Sequence, residues 1–163
     1  GKRDISLYQT EEMRKARHRA EDLKEKELAR IRAAISMDIL SLKRRLIEEA
    51  FQKALLTLMR LPDKDYQNLL QDMFLNSVME GNELVIISPE DKDRISEEFL
   101  DKINSELKKR GKKGELKFGP PDDRIKGGFI LRGRGVQINN SFNVLVSNLE
   151  DDLESSIADI LFG

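Results

Sequence analysis

The sequence predicts an α+β protein in which a long N-terminal helix of the coiled-coil type precedes a small domain of about four strands and three helices. The chain has neither Gly nor Pro between Lys2 and Leu61, and 36% of its residues are charged, against about 25% in an average soluble chain. After Pro62 the pattern changes to short apolar runs separated by Gly and Pro, which is typical of a compact domain. We therefore divide the chain into a helix, residues 1–61, and an α+β domain, residues 62–163.

The predicted helix covers residues 10–61. Pro62 ends it, because proline cannot donate a backbone hydrogen bond and restricts the residue before it. Such a helix would extend about 75 Å at 1.5 Å per residue, and it far exceeds the average helix of about 11 to 12 residues. Because a domain of this size cannot cover the whole helix, we expect the helix to project and to pair with a partner.

From Leu28 to Ala50, apolar residues recur in steps of three, four, four, three, four and four, which is an eleven-residue repeat. This repeat has about 3.67 residues per turn and predicts a right-handed or nearly straight supercoil with a second helix. Packing on the chain's own domain is an alternative, chiefly between Ala50 and Leu58. Upstream the stripe weakens, and only Ala20 and Met13 continue it. The predicted partner-helix seam is Ala20, Leu28, Ile31, Ile35, Ile39, Leu42 and Leu46.

In the domain, start and stop signals separate helices from strands. Ser88, followed by Pro and two acids, is a helix start signal. The glycines of residues 133–135 permit a tight hairpin turn. We expect Ser141 to cap the last helix, whose apolar residues form one face. The predicted elements are helix 64–79, strand 83–88, helix 88–109, strands 116–118, 128–132 and 136–139, and a final helix from residue 141.

Composition excludes several classes of protein and of site. The chain has no Cys, hence no disulfide or thiolate chemistry, and its single His excludes multi-His zinc sites. A formal net charge of −1 argues against a nucleic-acid-binding protein. No apolar run approaches the roughly 18 residues of a membrane span. The chain starts Gly-Lys-Arg-Asp, without a signal-peptide pattern or initiator Met, and we expect a processed or truncated N-terminus.

No group of residues points to catalysis. His18 lies on a helix expected to be exposed, and we interpret it as solvated. The basic run 108–113 could contact phosphate, but it also lies at a predicted helix C-terminus, where cations are favoured. The acids within residues 150–154 are interpreted as a solvated face. The Gly-Arg-Gly turn is too short for a dinucleotide fingerprint. We therefore predict a non-catalytic protein with no cofactor and no metal.

Residues 127–142 read Gly-Gly-Phe-Ile-Leu-Arg, a Gly-Arg-Gly turn, and Val-Gln-Ile-Asn-Asn-Ser-Phe. This segment resembles the C-terminal signature of the E subunit of V-type and archaeal A-type ATPases. Residues 157–163 (Ile-Ala-Asp-Ile-Leu-Phe-Gly) are similar to that family's C-terminus, and the eleven-residue repeat and the layout of helix and domain are similar as well. The family often has Glu and Arg where this chain has Asn143 and Leu145, and its helix usually begins further upstream.

The resemblance implies a peripheral-stalk, or stator, component of a rotary ATPase or ATP synthase. Such a component holds the catalytic head against rotor torque, so that ATP turnover is coupled to proton or sodium transport. The resemblance implies a heterodimeric right-handed coiled coil with the G subunit of the enzyme, called H in some archaeal systems. It also implies binding to the head, chiefly to its B subunit, and contact of the lower end with the membrane stator protein at the cytoplasmic face, without direct membrane insertion. The implied head-binding region contains Phe129, Arg132, Arg134, Asn139, Asn140 and Phe142.

Two alternatives remain. A homodimeric coiled-coil adaptor or regulator of a secretion or flagellar export ATPase has a similar outline and would self-associate without a second protein. A nucleic-acid-binding helix is the other, because residues 14–19 (Arg-Lys-Ala-Arg-His-Arg) are locally basic, although acids flank them on both sides.

Overall fold

The computed structural model describes residues 1–163 and confirms the predicted α+β fold, with a long helix followed by four strands in one sheet. The chain divides into two compact units, residues 1–45 with 156–163, and residues 46–155. The elements are α1 Lys2–Met59, α2 Asp63–Ser77, β1 Leu84–Ile86, a 3-10 turn Pro89–Asp91, α3 Glu97–Lys109, β2 Lys117–Phe118, β3 Gly128–Arg132, β4 Gln137–Ser141 and α4 Phe142–Phe162.

α1 has 58 residues. It begins at Lys2, well over one turn before the predicted start at residue 10, and ends at Met59, close to the predicted end at residue 61. Its surface carries ion pairs three residues apart, such as Arg14 with Glu11 at 2.7 Å and Arg30 with Glu27 at 2.5 Å. Exposed pairs of this kind contribute little to stability, because water and salt screen the two charges. Most of the stability of a long helix must therefore come from packing of its apolar faces.

The sheet of residues 46–155 has the strand order β2-β1-β3-β4; β1 and β2 are parallel and the other neighbours are antiparallel. Val85 of β1 lies opposite Leu131 of β3. Because successive side chains of a strand alternate between the two faces, these two residues lie in the main core, while Ile86 and Ile130 lie in a small second cluster with Ile125. Both faces of β1 are therefore covered by other apolar side chains, which explains why the strand predicted at residues 83–88 is continuously apolar.

The main core joins α2, α3 and the start of α4 to the sheet. Phe74 of α2 stacks on Phe129 of β3 with ring centroids 3.7 Å apart. Tyr66 meets Phe142 edge to face at 5.8 Å. The core residues are buried aromatic and aliphatic side chains: Tyr66, Leu70, Phe74, Val78, Val85, Ile87, Ile95, Phe99, Leu100, Ile103, Leu107, Leu116, Phe129, Leu131 and Phe142.

The prediction of one helix over residues 88–109 is wrong in its first turns. The structure has a 3-10 turn with Ser88 as its N-cap, and α3 starts separately with Ser96 as its N-cap. The turn is held by Asp91, a buried residue whose carboxylate accepts a hydrogen bond from the Tyr66 hydroxyl at 2.7 Å. The other predicted elements of the domain are confirmed, and each predicted start or end lies within two residues of the observed one. For the final helix only the start was predicted.

The hairpin between β3 and β4 is confirmed. The Gly133 N–H donates a hydrogen bond to the Val136 carbonyl at 2.9 Å. Gly135 has a φ of +71°, a backbone conformation that glycine adopts more readily than other residues. β4 continues to Ser141, and the Ser141 hydroxyl donates to Asn139 Oδ1 at 2.6 Å. This contact within the strand corrects the predicted role of Ser141 as the cap of the last helix.

Glu83, directly before β1, is a buried carboxylate that joins the end of α2 to the sheet. It accepts backbone hydrogen bonds from Met79 at 3.0 Å, Glu80 at 2.8 Å and Gly81 at 2.9 Å. Burial acts to raise the pKa of the Glu83 carboxyl, but the backbone hydrogen bonds outweigh burial and hold this pKa below its ordinary value of 4.5. The charged form of Glu83 is therefore the one that the fold stabilises.

Replacement of Glu83 by Gln is expected to lower the free energy of unfolding by about 2 kcal/mol at neutral pH, because a neutral amide oxygen accepts weaker hydrogen bonds than a carboxylate. Since the folded-state pKa is lowered, the carboxylate contribution is complete above the ordinary value of 4.5 and is lost as the pH falls through the folded-state pKa. Urea denaturation at neutral pH and at about pH 3 measures this difference. Glu115→Gln, at an exposed position, is the control; an equal loss in both variants would contradict this role.

Candidate partner-binding surfaces

α1 carries two apolar faces on different sides of the helix. Each residue turns an α-helix by about 100°. On that geometry the seam residues from Leu28 to Leu46 group on one side, and a second group lies about 140° away around the helix. We call this second group the covered face; it consists of Leu40, Ile47, Phe51, Leu55 and Leu58.

The large seam residues are all exposed. Their exposed fractions range from 38% at Ile39 to 57% at Leu46, and Ala20 is exposed as well. Exposed apolar side chains are normal when scattered singly, but a continuous row of them marks an interaction site. The predicted seam is therefore available for contact with another chain.

The covered face is occupied by the chain itself. Leu40 is buried, with 4% of its surface exposed. Ile47 and Phe51 are half-buried, and Leu55 and Leu58 pack against the main core. Own-domain packing, the alternative predicted for residues 50–58, is thus confirmed for Leu55 and Leu58.

The structure separates the predicted head-binding residues into two classes. Phe129 and Phe142 are core side chains with 0% and 3% exposed, so the expected contact, which was placed on the exposed parts of this region, does not involve their rings directly. Asn139 and Asn140 are half-buried, and Asn140 Nδ2 donates to Ser77 Oγ at 2.7 Å. The two arginines, which flank the hairpin turn, are exposed: Arg132 and Arg134.

Exposed apolar residues that were not predicted lie beside Arg134. Met79 has 61% and Val136 has 50% of its surface exposed. Both line a cleft of about 80 Å³, together with Arg134, Leu131 and Ile138. This volume is well below the roughly 300 Å³ of a typical small-molecule site. The arrangement of apolar residues next to a cation is better suited to a protein partner than to a cofactor.

A buried polar network lies elsewhere in the domain. The Tyr66 hydroxyl donates to Asp91 and accepts a hydrogen bond from Gly128 N–H at 3.0 Å. Burial, supported by the bond to Asp91, raises the pKa of Tyr66. Burial also raises the pKa of Asp91, although the bond from Tyr66 and the charge of Arg94 oppose it. Every buried side-chain polar atom has a hydrogen-bond partner.

The remaining charged candidates have protein partners. His18 lies 3.7 Å from Asp22 on the exposed surface of α1. In the basic run 108–113, Lys109 pairs with Glu106 at 2.9 Å and Lys113 with Glu80 at 3.1 Å. No cluster of His, Cys, Asp or Glu that could hold a metal ion is present.

In the acidic run, the pKa of the Glu150 carboxyl is raised, first by partial burial and then by the charges of Glu154, Glu48 and Asp151. Glu48 belongs to α1 and Glu150 to α4. The charges that raise the pKa of Glu150 thus come from carboxylates of both helices.

No helix of the structure is both long and apolar enough to cross a membrane.

The family described as "ATP synthase (E/31 kDa) subunit" matches residues 2–162. Similar proteins include the E subunit of the V-type ATP synthase of Clostridium botulinum strain Langeland, 42% identical over 123 residues, and the E subunit of the V-type proton ATPase of Thermoanaerobacter pseudethanolicus, 41% identical over 123 residues. Both alignments cover 76% of this chain and 62% of the relative, so the matched part spans less than two thirds of the relatives' length. A match over nearly the whole chain, together with the predicted fold, shows that this protein belongs to the E subunit family of V-type ATP synthases.

Proposed function

We propose that the chain is a non-catalytic peripheral-stalk component of a V/A-type rotary ATPase or ATP synthase. In this proposal residues 1–61 form the stalk helix, which pairs with the G subunit (H in some archaeal systems) in a right-handed coiled coil. Residues 62–163 bind the catalytic head, chiefly its B subunit, and the lower end of the stalk reaches the membrane stator protein on the cytoplasmic face. By resisting rotor torque, the chain keeps ATP turnover coupled to proton or sodium transport.

The exposed seam is the observation that carries this proposal. Six large apolar residues remain in water along a helix whose other apolar face is already covered. Complete burial of each such side chain is worth about 1.5 to 3 kcal/mol. The eleven-residue spacing favours a right-handed or nearly straight partner helix over a left-handed heptad coiled coil.

The hairpin end of the domain supports the proposed contact with the head. Arg134, in the turn, lies next to the exposed side chains of Met79 and Val136. Arg132, at the end of β3, is also exposed but lines a separate cleft with Asp122 and Arg124. Interfaces commonly combine an apolar centre with Arg at its rim. We assign Phe129 and Phe142 a different role: from the core, they fix the strand and helix that carry this surface.

Replacement of Ile35 and Leu42 together by Asp is expected to abolish co-purification with the G subunit, because pairing would bury two unpaired carboxylates at a cost of several kcal/mol. The matched control replaces Ala34 and Met37 by Asp. These residues are exposed and lie off the seam, and the change in charge is the same. Retention of the G subunit by the seam variant, or equal loss in both variants, would refute the seam.

Replacement of Arg132 and Arg134 together by Glu is expected to weaken binding to the B subunit by about tenfold or more, with a larger effect at low salt. Biolayer interferometry with the purified stalk pair measures the affinity. Lys108→Glu combined with Arg110→Glu is the control, since both residues are exposed, carry the same charge change and line neither the cleft that contains Arg134 nor the one that contains Arg132. An unchanged affinity in the hairpin variant would remove this region from the contact.

A further inference from the structure

One side chain spans the junction between α1 and α2, residues 60–62. Arg94 Nη1 donates to the Met59 carbonyl at 2.8 Å, and Nη2 donates to the Leu61 carbonyl at 2.5 Å. Its Nε donates to Asp63 Oδ1 at 3.0 Å. A single guanidinium thus binds the last residue of α1, the junction and the first residue of α2.

The guanidinium is held in place from its other sides. It lies over the Tyr66 ring, 3.8 Å from the centroid, and Nη1 is 3.7 Å from Asp91 Oδ1. Gln67 Nε2 donates to the Arg94 backbone carbonyl at 2.7 Å. Only 18% of the Arg94 side chain is exposed. The geometry of this contact is therefore set by the core and does not depend on a freely rotating surface arginine.

The chemistry of the two helix ends matches this arrangement. The last carbonyls of α1 have no partners within the helix, and a helix C-terminus favours a cation. Asp63 lies in the first turn of α2, where an anion is favoured. Arginine offers donors in a planar fork that can satisfy several acceptors together, whereas lysine has one compact ammonium group.

We propose that Arg94 is a positioning residue that fixes the direction in which α1 leaves the domain. The apolar contacts of Leu55 and Leu58 hold α1 against the core, but hydrophobic contact is non-directional. The hydrogen bonds of Arg94 to the end of α1 and the start of α2 are directional, and they fix the orientation of α1 on the domain. Transmission of load from the stalk to the head through the junction held by Arg94 rests on the proposed function. The contacts of Arg94 with the junction are a property of this chain alone.

Hydrogen exchange of the full chain tests this role directly. Arg94→Lys keeps the charge but removes the fork. It is expected to raise the exchange rates of amides in residues 56–66 by about tenfold or more, since hydrogen bonds to charged groups are among the strongest in proteins. Amides of residues 100–107 in α3 and 129–131 in β3 are expected to change by less than about twofold, because the hydrogen bonds of Arg94 do not reach them. Arg60→Lys, at an exposed position in the same junction, is the matched control and should leave both regions unchanged.

A distance measurement separates a positioning role from a structural one. The chain has no Cys, so Glu49→Cys and Asp101→Cys, both exposed and both within residues 46–155, allow selective spin labelling of α1 and α3. The distance distribution between the two labels is expected to broaden in Arg94→Lys and to stay unchanged in Arg60→Lys.

Unchanged exchange at residues 56–66, an unchanged distance distribution, or an equal acceleration throughout α3 and β3 would overturn the positioning role. If Arg94→Lys does not fold, Gln67→Ala removes only the hydrogen bond to the Arg94 carbonyl. Faster exchange confined to residues 56–66 is then expected, and no change there would overturn the proposal. These measurements need no partner protein, so failure of the stator assignment would leave their outcome unaffected.

Discussion

The distribution of apolar side chains around α1 is the constraint on which the rest of the structure depends. One side of the helix, from Leu40 to Leu58, is covered by the chain itself, and the other side, from Leu28 to Leu46, is not. Leu55 and Leu58 attach the C-terminal part of α1 to the core of the domain, while the seam residues are exposed. In the proposed stalk role, a partner helix covers the seam.

The C-terminal end of α1 packs against a core that is rich in aromatic side chains. The stack of Phe74 on Phe129 and the contact of Tyr66 with Phe142 place large aromatic rings where the sheet, α2 and α4 meet. The signature segment 127–142 therefore contributes mainly to the core, and only the side chains near the hairpin turn reach the surface. Arg94 links this core to the end of α1, through hydrogen bonds whose geometry is more specific than that of the surrounding apolar contacts.

Periodicity and turn residues were sufficient to predict most of the fold. The absence of Gly and Pro predicted α1, the eleven-residue repeat predicted an exposed stripe, and Gly133 with Gly135 predicted the hairpin. The sequence could not distinguish one long helix from a turn followed by a helix, because Ser88 and Ser96 are both good N-caps, and in the structure both act as caps. The hydrogen bond from Tyr66 to Asp91 in the turn joins residues 25 apart in the chain, which periodicity does not reveal. Resemblance placed Phe129 and Phe142 in a functional region without revealing their burial. Arg94 was not predicted at all, because its acceptors lie more than thirty residues away in the chain.

The central claim is that the seam of α1 is complementary to a different protein and not to a second copy of this chain. Size-exclusion chromatography with light scattering, applied to the chain alone and after addition of the G subunit, measures this most directly. A monomer or weak dimer that becomes a stable one-to-one pair with the G subunit is the expected result. A tight homodimer that persists on dilution and does not exchange with the G subunit would contradict the claim.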